Sequence, residues 1–121
     1  MTSRFTELVI DCHDPEMLAG FWQEVLGCPT VERGTDDDPY VSISGGGTPV
    51  ELVFAPVPET KEVKNRIHID VNASDRDQAE EVERLLALGA RPADVGQGDV
   101  SWVVLADPEG NEFCVLRSRV D

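Results

Sequence analysis

One order of signals occurs twice in this chain, and that repetition limits the fold more than any single motif. Residues 5–12 alternate and are rich in Val, Ile and Leu, as a strand with one buried face should be. Asp14-Pro15-Glu16 then offers an N-cap, a proline suited to the first helical turn and an acid at the positive helix end. Met17, Leu18, Phe21, Trp22, Val25 and Leu26 recur at helical spacing, and Gly27 closes the segment. A strand over residues 30–33, an acidic loop Thr35-Asp36-Asp37-Asp38-Pro39, and strands over 40–44 and 50–54 follow. Gly45-Gly46-Gly47 joins the last two as a flexible hairpin.

The second half repeats the plan. Residues 67–71 are strand-like, and Asp75 or Ser74 is the expected cap of a helix with the stripe Ala79, Val82, Leu85, Leu86 and Leu88. Leu88-Gly89 ends this helix as Leu26-Gly27 ends the first. Strands are expected over 91–95, 100–105 and 112–116, with Asp107-Pro108-Glu109-Gly110-Asn111 as a turn. The expected class is therefore α+β: two pseudo-symmetric βαβββ modules, residues 5–56 and 64–119, joined by a proline-containing linker over 57–63. Each module is too small to bury an adequate core alone, so the two are expected to form a single domain.

Placing the expected cap Asp14 on Asp75 aligns Glu7 with His68, Val9 with Asp70 and Asp11 with Asn72. A second register, two residues away, aligns Ile10-Asp11 with Ile69-Asp70. Capping chemistry favours the first, because alternating strands can slide by two without changing face.

Ten Lys and Arg against twenty-four Asp and Glu give a formal net charge of −14. Such a chain repels phosphate backbones and anionic membrane surfaces, which argues against nucleic-acid and membrane partners. No apolar run approaches the ~20 residues of a bilayer span, and the first five residues contain no apolar signal core. Three cysteines, Cys12, Cys28 and Cys114, suggest neither a disulfide framework nor a zinc knuckle, so a cytoplasmic location is expected.

The pieces Asp11-Cys12-His13-Asp14-Pro15, Phe21-Trp22-x-x-Val25-Leu26-Gly27, Lys64-Asn65-Arg66-Ile67-His68-Ile69-Asp70, Leu88-Gly89-Ala90 and Asp107-Pro108-Glu109-Gly110-Asn111-Glu112-Phe113-Cys114 together resemble the vicinal oxygen chelate superfamily. That group includes glyoxalase I, extradiol dioxygenases, fosfomycin-resistance proteins and bleomycin-binding proteins. The resemblance implies a curved mixed sheet with helices on its convex side, a homodimer, and ligands on the first and last strands of each module. It puts Glu7 where a His or Gln is usual, Glu51 where glyoxalase I has Glu, His68 at the expected His, and Cys114 where the metal enzymes have Glu.

On this reading Glu7, Glu51 and His68 are the expected metal ligands, with Cys114 a weaker fourth. They would suit Zn, Mn, Fe, Ni or Co, and Glu7 and Glu51 are also the candidate proton carriers. Each residue has a plainer reading. His68 could hydrogen-bond a neighbouring acid, Glu7 and Glu51 could face solvent, and Cys114 could be a small core residue. Two inward carboxylates without metal would raise one pKa and supply a general base.

Arg66 is a candidate clamp for an anionic group or a partner for nearby acids such as Asp70, and Asp70 is itself a candidate substrate contact. Trp102 and Phe54 are candidate walls for a flat apolar ligand, or else core. The functional expectation is a metal-dependent lyase or isomerase acting on a small molecule with vicinal oxygens. The alternative is a metal-free protein that sequesters an aromatic compound.

Overall fold

Alternation in the first stretch produces strand β1 (Glu7–Cys12) in the computed structural model, which describes residues 2–120. The chain forms two compact units, one ending at Thr60 and the other starting at Lys61. The first unit continues with α1 (Pro15–Leu26), β2 (Thr30–Thr35), β3 (Asp38–Ser44) and β4 (Glu51–Pro56). Its sheet runs β1-β4-β3-β2, with β1 parallel to β4 and the other pairs antiparallel. The second unit has β5 (Ile69–Val71), α2 (Gln78–Leu88), β6 (Arg91–Pro92), β7 (Val103–Ala106) and β8 (Glu112–Val115). Its sheet repeats the order as β5-β8-β7-β6, with β5 parallel to β8. This is the expected α+β, two-module βαβββ architecture.

Helix α1 starts where its capping residues dictate. Asp14 accepts from the Met17 N–H at 3.1 Å, Pro15 occupies the first turn, and Gly27 takes the left-handed conformation (φ 63°) that ends it. Leu18, Phe21, Trp22 and Val25 are buried on its inner face, which lies against β3 and β4. Phe21 and Trp22 meet edge to face, with ring centroids 5.3 Å apart. Phe54 is 0% exposed in the same core. That burial corrects its assignment as a ligand wall: in β4 it alternates with half-buried Val53 and sits beside Ile10 and Val41.

Two loops differ from expectation. Strands β2 and β3 extend into the acidic segment, leaving Asp36 and Asp37 as a hairpin turn, with Asp38 N–H donating to Thr35 Oγ1 at 3.3 Å. The triple-glycine segment is not merely flexible. Gly47 N–H donates to the Leu26 carbonyl at 2.7 Å, and a Cβ on Gly46 would collide with the Gly27 carbonyl. Glycine is required because this loop passes directly beneath the end of α1.

In the second unit, β5 begins at Ile69 rather than residue 67, and β7 begins at Val103 rather than residue 100. Helix α2 begins later as well. Asp77, not Asp75 or Ser74, is the cap: its carboxylate accepts from Glu80 N–H at 2.8 Å while Glu80 Oε1 accepts from Asp77 N–H at 3.3 Å. This reciprocal capping box overrides the earlier acid, which is held by Arg76 at 2.7 Å. Ala79 is exposed, and the buried residues of α2 are Leu85 and Glu81, the latter bound by Arg84 at 2.7 Å.

The displaced cap decides the register between modules. Cys12 pairs with Pro56 and Val71 with Val115, and each parallel pair ends in the same bond: Val57 N–H to Cys12 carbonyl, Leu116 N–H to Val71 carbonyl, both 2.8 Å. Equivalent positions are therefore Ile10 with Ile69 and Asp11 with Asp70, the second of the two registers. Capping misleads here because the second module places four more residues between strand and helix. Replacing Asp77 with Ala should cost about 1 kcal/mol in urea unfolding. Asp75→Ala should cost less, and equal losses would mean that the capping box does not set this helix start.

Candidate functional site

Parallel pairing of β5 with β8 puts Asp70 opposite Cys114, so their side chains project from the same sheet face. His68 immediately precedes β5, two residues before Asp70, and its Nε2 lies 3.2 Å from Asp70 Oδ1. That contact is an ion pair whenever the imidazole is protonated. One ligand atom from each of His68, Asp70 and Cys114 comes within 4.8 Å of the others. Among the described residues, these form the convergent group of three His, Cys, Asp or Glu side chains.

Cys114 is only 7% exposed, between buried Phe113 and Val115. Its thiol is pushed up from the ordinary cysteine value, first by burial, then by the negative charge of Asp70 and a hydrogen bond to it, with Lys64 opposing. Cys12, Cys28 and Cys114 are all buried and free of disulfides, and burial raises Cys28 as well.

The segment leading into His68 is tied to the start of β8. Glu112 accepts from Lys61 Nζ at 2.7 Å and from Asn65 N–H at 2.9 Å. Asn65 Nδ2 donates to Asn111 Oδ1 at 2.8 Å, and Asn111 donates in turn to the fully buried Asp107 carboxylate through its backbone N–H at 2.9 Å. Asp107 also accepts from Glu109 N–H at 2.9 Å. The Asp-Pro-Glu-Gly-Asn turn therefore does more than reverse the chain: its buried acid orders the strand that carries Cys114. Burial raises the Glu112 carboxyl, but Lys61, the Asn65 N–H and its own backbone N–H outweigh it and leave a net lowering.

The other expected site residues are placed differently. Glu7 and Glu51 are paired across parallel β1 and β4, so they project to one face of the first unit, Glu7 exposed and Glu51 half-buried. Arg66 is exposed and makes no ion pair among the described residues. Trp102 is 41% exposed in the loop before β7, outside the strand in which alternation had placed it. Asp70, expected to contact substrate, joins His68 and Cys114. Glu112 and Lys61 drew no functional reading from sequence; the adjacency of Glu112 to the Asp107-to-Asn111 turn was the available signal.

In the first unit, Val9, Asp11 and Ala55 occupy the positions equivalent to His68, Asp70 and Cys114. Only one of those three can ligate, so the donor set belongs to the second unit. Its chemistry fits a divalent cation: one imidazole nitrogen, one carboxylate oxygen and one sulfur that is anionic as thiolate.

Residues 7–116 match the family model described as a glyoxalase-like domain. The chain belongs to the glyoxalase-like domain family. With it the chain falls in the vicinal oxygen chelate superfamily. No protein with a curated description matches the sequence. Among solved structures, a point mutant of the genomically encoded fosfomycin resistance protein FosX from Listeria monocytogenes, complexed with Mn(II) and 1S,2S-dihydroxypropylphosphonic acid, superposes with a TM-score of 0.70 at 14% identity, over 96% of this chain and 90% of that one. A glyoxalase-related enzyme from Fulvimarina pelagi gives a TM-score of 0.64 at 18% identity, over 94% and 87%. The S. aureus protein SA1046 gives 0.64 at 19%, over 98% and 99%. At these identities the likeness concerns the fold. Among the described residues, no helix of this glyoxalase-like protein is long and apolar enough to cross a membrane.

Because the Glu112 carboxyl is lowered in the folded state, its pairing stabilises the fold above the ordinary carboxylate range. That contribution disappears as pH falls through the lowered value. Glu112→Gln should therefore lose about 1–2 kcal/mol at neutral pH, and chemical denaturation should show the gap closing in acid. A gap independent of pH would mean that Lys61–Glu112 is not the stabilising contact.

Proposed function

We propose that this glyoxalase-like protein is a metal-dependent lyase or isomerase acting on a small molecule with two neighbouring oxygens, its ion held by His68, Asp70 and Cys114. The observation supporting this reading is the convergence of nitrogen, oxygen and sulfur donors within 4.8 Å. A divalent ion bound there supplies Lewis acidity to adjacent substrate oxygens, favouring negative charge that develops on them. Asp70 gathers the set, drawing His68 and the Cys114 thiol towards one carboxylate. Arg66, exposed two residues before His68, is the proposed contact for an anionic substituent. In the first unit, Glu7 and Glu51, side by side on β1 and β4, are proposed as a separate carboxylate pair able to exchange a proton.

The Mn(II) complex of FosX lends support to a divalent ion in this fold. The proposed setting is a reducing cytoplasm, consistent with three buried cysteines that form no disulfide, and the proposed partners are a small molecule and a second copy of the chain. Protein purified without chelator should contain about one divalent ion per chain by elemental analysis. His68→Ala and Asp70→Ala should lose it; metal retained by both variants would overturn the ligand assignment. Turnover of a glutathione hemithioacetal should be weak, because Cys114 replaces the carboxylate of glyoxalases.

The exposed Trp102 favours a second reading, a metal-free binder of aromatic compounds. Trp22 is buried, so quenching of tryptophan fluorescence by bound aromatic ligands should come from Trp102. A Trp102→Phe variant that quenches like the parent would count against that reading.

A further inference from the structure

We propose that Cys114 makes this centre selective for borderline-soft divalent ions, zinc(II) and cobalt(II), over the hard-oxygen ions manganese(II) and magnesium(II). The inference rests on the metal-dependent reading and specifies which ions it admits. Hard ions require an oxygen-rich shell, commonly carboxylates, carbonyls and water, whereas thiolate and imidazole suit zinc and its neighbours. Here the triad offers one carboxylate, Asp70, beside one nitrogen and one sulfur.

A second carboxylate is close in sequence but is already engaged. Glu112 precedes Cys114 by two positions on β8, so it projects from the same strand face. One of its oxygens is held by Lys61 Nζ at 2.7 Å and the other by Asn65 N–H at 2.9 Å. Recruiting Glu112 to complete an oxygen shell would break both bonds, in a pair whose side chains are 13% and 23% exposed. The sulfur is, by contrast, well placed. Cys114 is fixed mid-strand between buried neighbours, and its partner Asp70 is the residue paired with it across β5 and β8. On binding, the Sγ–H bond gives its proton to solvent while an Sγ–metal bond forms; no electrons are transferred.

The test uses chelator-stripped full-length protein titrated with cobalt(II), zinc(II) and manganese(II), each alone and in competition. The expected result is a thiolate-to-cobalt charge-transfer absorption in the near ultraviolet, abolished by stoichiometric zinc, with manganese binding more than about tenfold weaker than zinc. Cys114→Ser should lose the absorption, and Cys114→Asp should narrow the gap between manganese and zinc. Cobalt bound without the charge-transfer band, or manganese matching zinc on the parent protein, overturns the selectivity while leaving a metal centre in place. No ion bound by the parent overturns the metal-dependent reading and the selectivity together. The measurements on the parent stand even if a Cys114 variant fails to fold.

Discussion

The parallel pairing of the first strand of each module with its last determines most of what this protein can do. A parallel pair cannot be closed by a tight turn, so a helix and two further strands must lie between its members. That requirement generates the βαβββ order. It also brings residues forty-four positions apart face to face, Glu7 with Glu51 and Asp70 with Cys114. The donor group follows directly: no local motif contains His68, Asp70 and Cys114, but the β5–β8 register leaves them on one face.

How far the sequence discloses this depends on the range over which each signal acts. Helix α1 was readable because Asp14, Pro15 and Gly27 act on their immediate neighbours. The start of α2 was not. Asp75 and Asp77 are both competent caps, and the choice is made by Glu80, three residues beyond the second. That local error carried through to the register between modules and so to the site, because sliding by two keeps every side chain on its original face while changing its partner. His68 was recognisable from its sequence context, but the grouping of Asp70 with it depended on strand pairing. Phe54 and Trp102 show the same limit from the other side. Alternation identifies two faces of a strand without saying which is covered, and it says nothing once, as at Trp102, the residue lies before the strand begins.

The duplication is structural rather than chemical. Both units preserve the sheet order, the glycine after the helix and the backbone bond that closes the parallel pair. Only the second places imidazole, carboxylate and thiol together, whereas the equivalent trio in the first is valine, aspartate and alanine. The second unit also carries the buried Asp107, whose bonds through Asn111 and Asn65 hold the approach to His68. Framework and donors thus coincide in one half of the chain.

The high acidity acquires a specific meaning at this point. Several of the carboxylates serve as caps, as turn residues such as Asp36 and Asp37, or as partners of arginine, as Glu16 with Arg33 at 2.6 Å. Asp70 is different, because the groups that meet it are a thiol and an imidazole rather than a fixed cation. An arginine there would satisfy the carboxylate permanently and leave it no capacity for a ligand. Asp70 thus lies where an imidazole and a thiol converge, and under the metal-dependent reading those two groups would give up their protons to an ion held with the carboxylate. Among the described residues, the ion pair of Asp70 is with an imidazole rather than a lysine or arginine, in a chain of net charge −14.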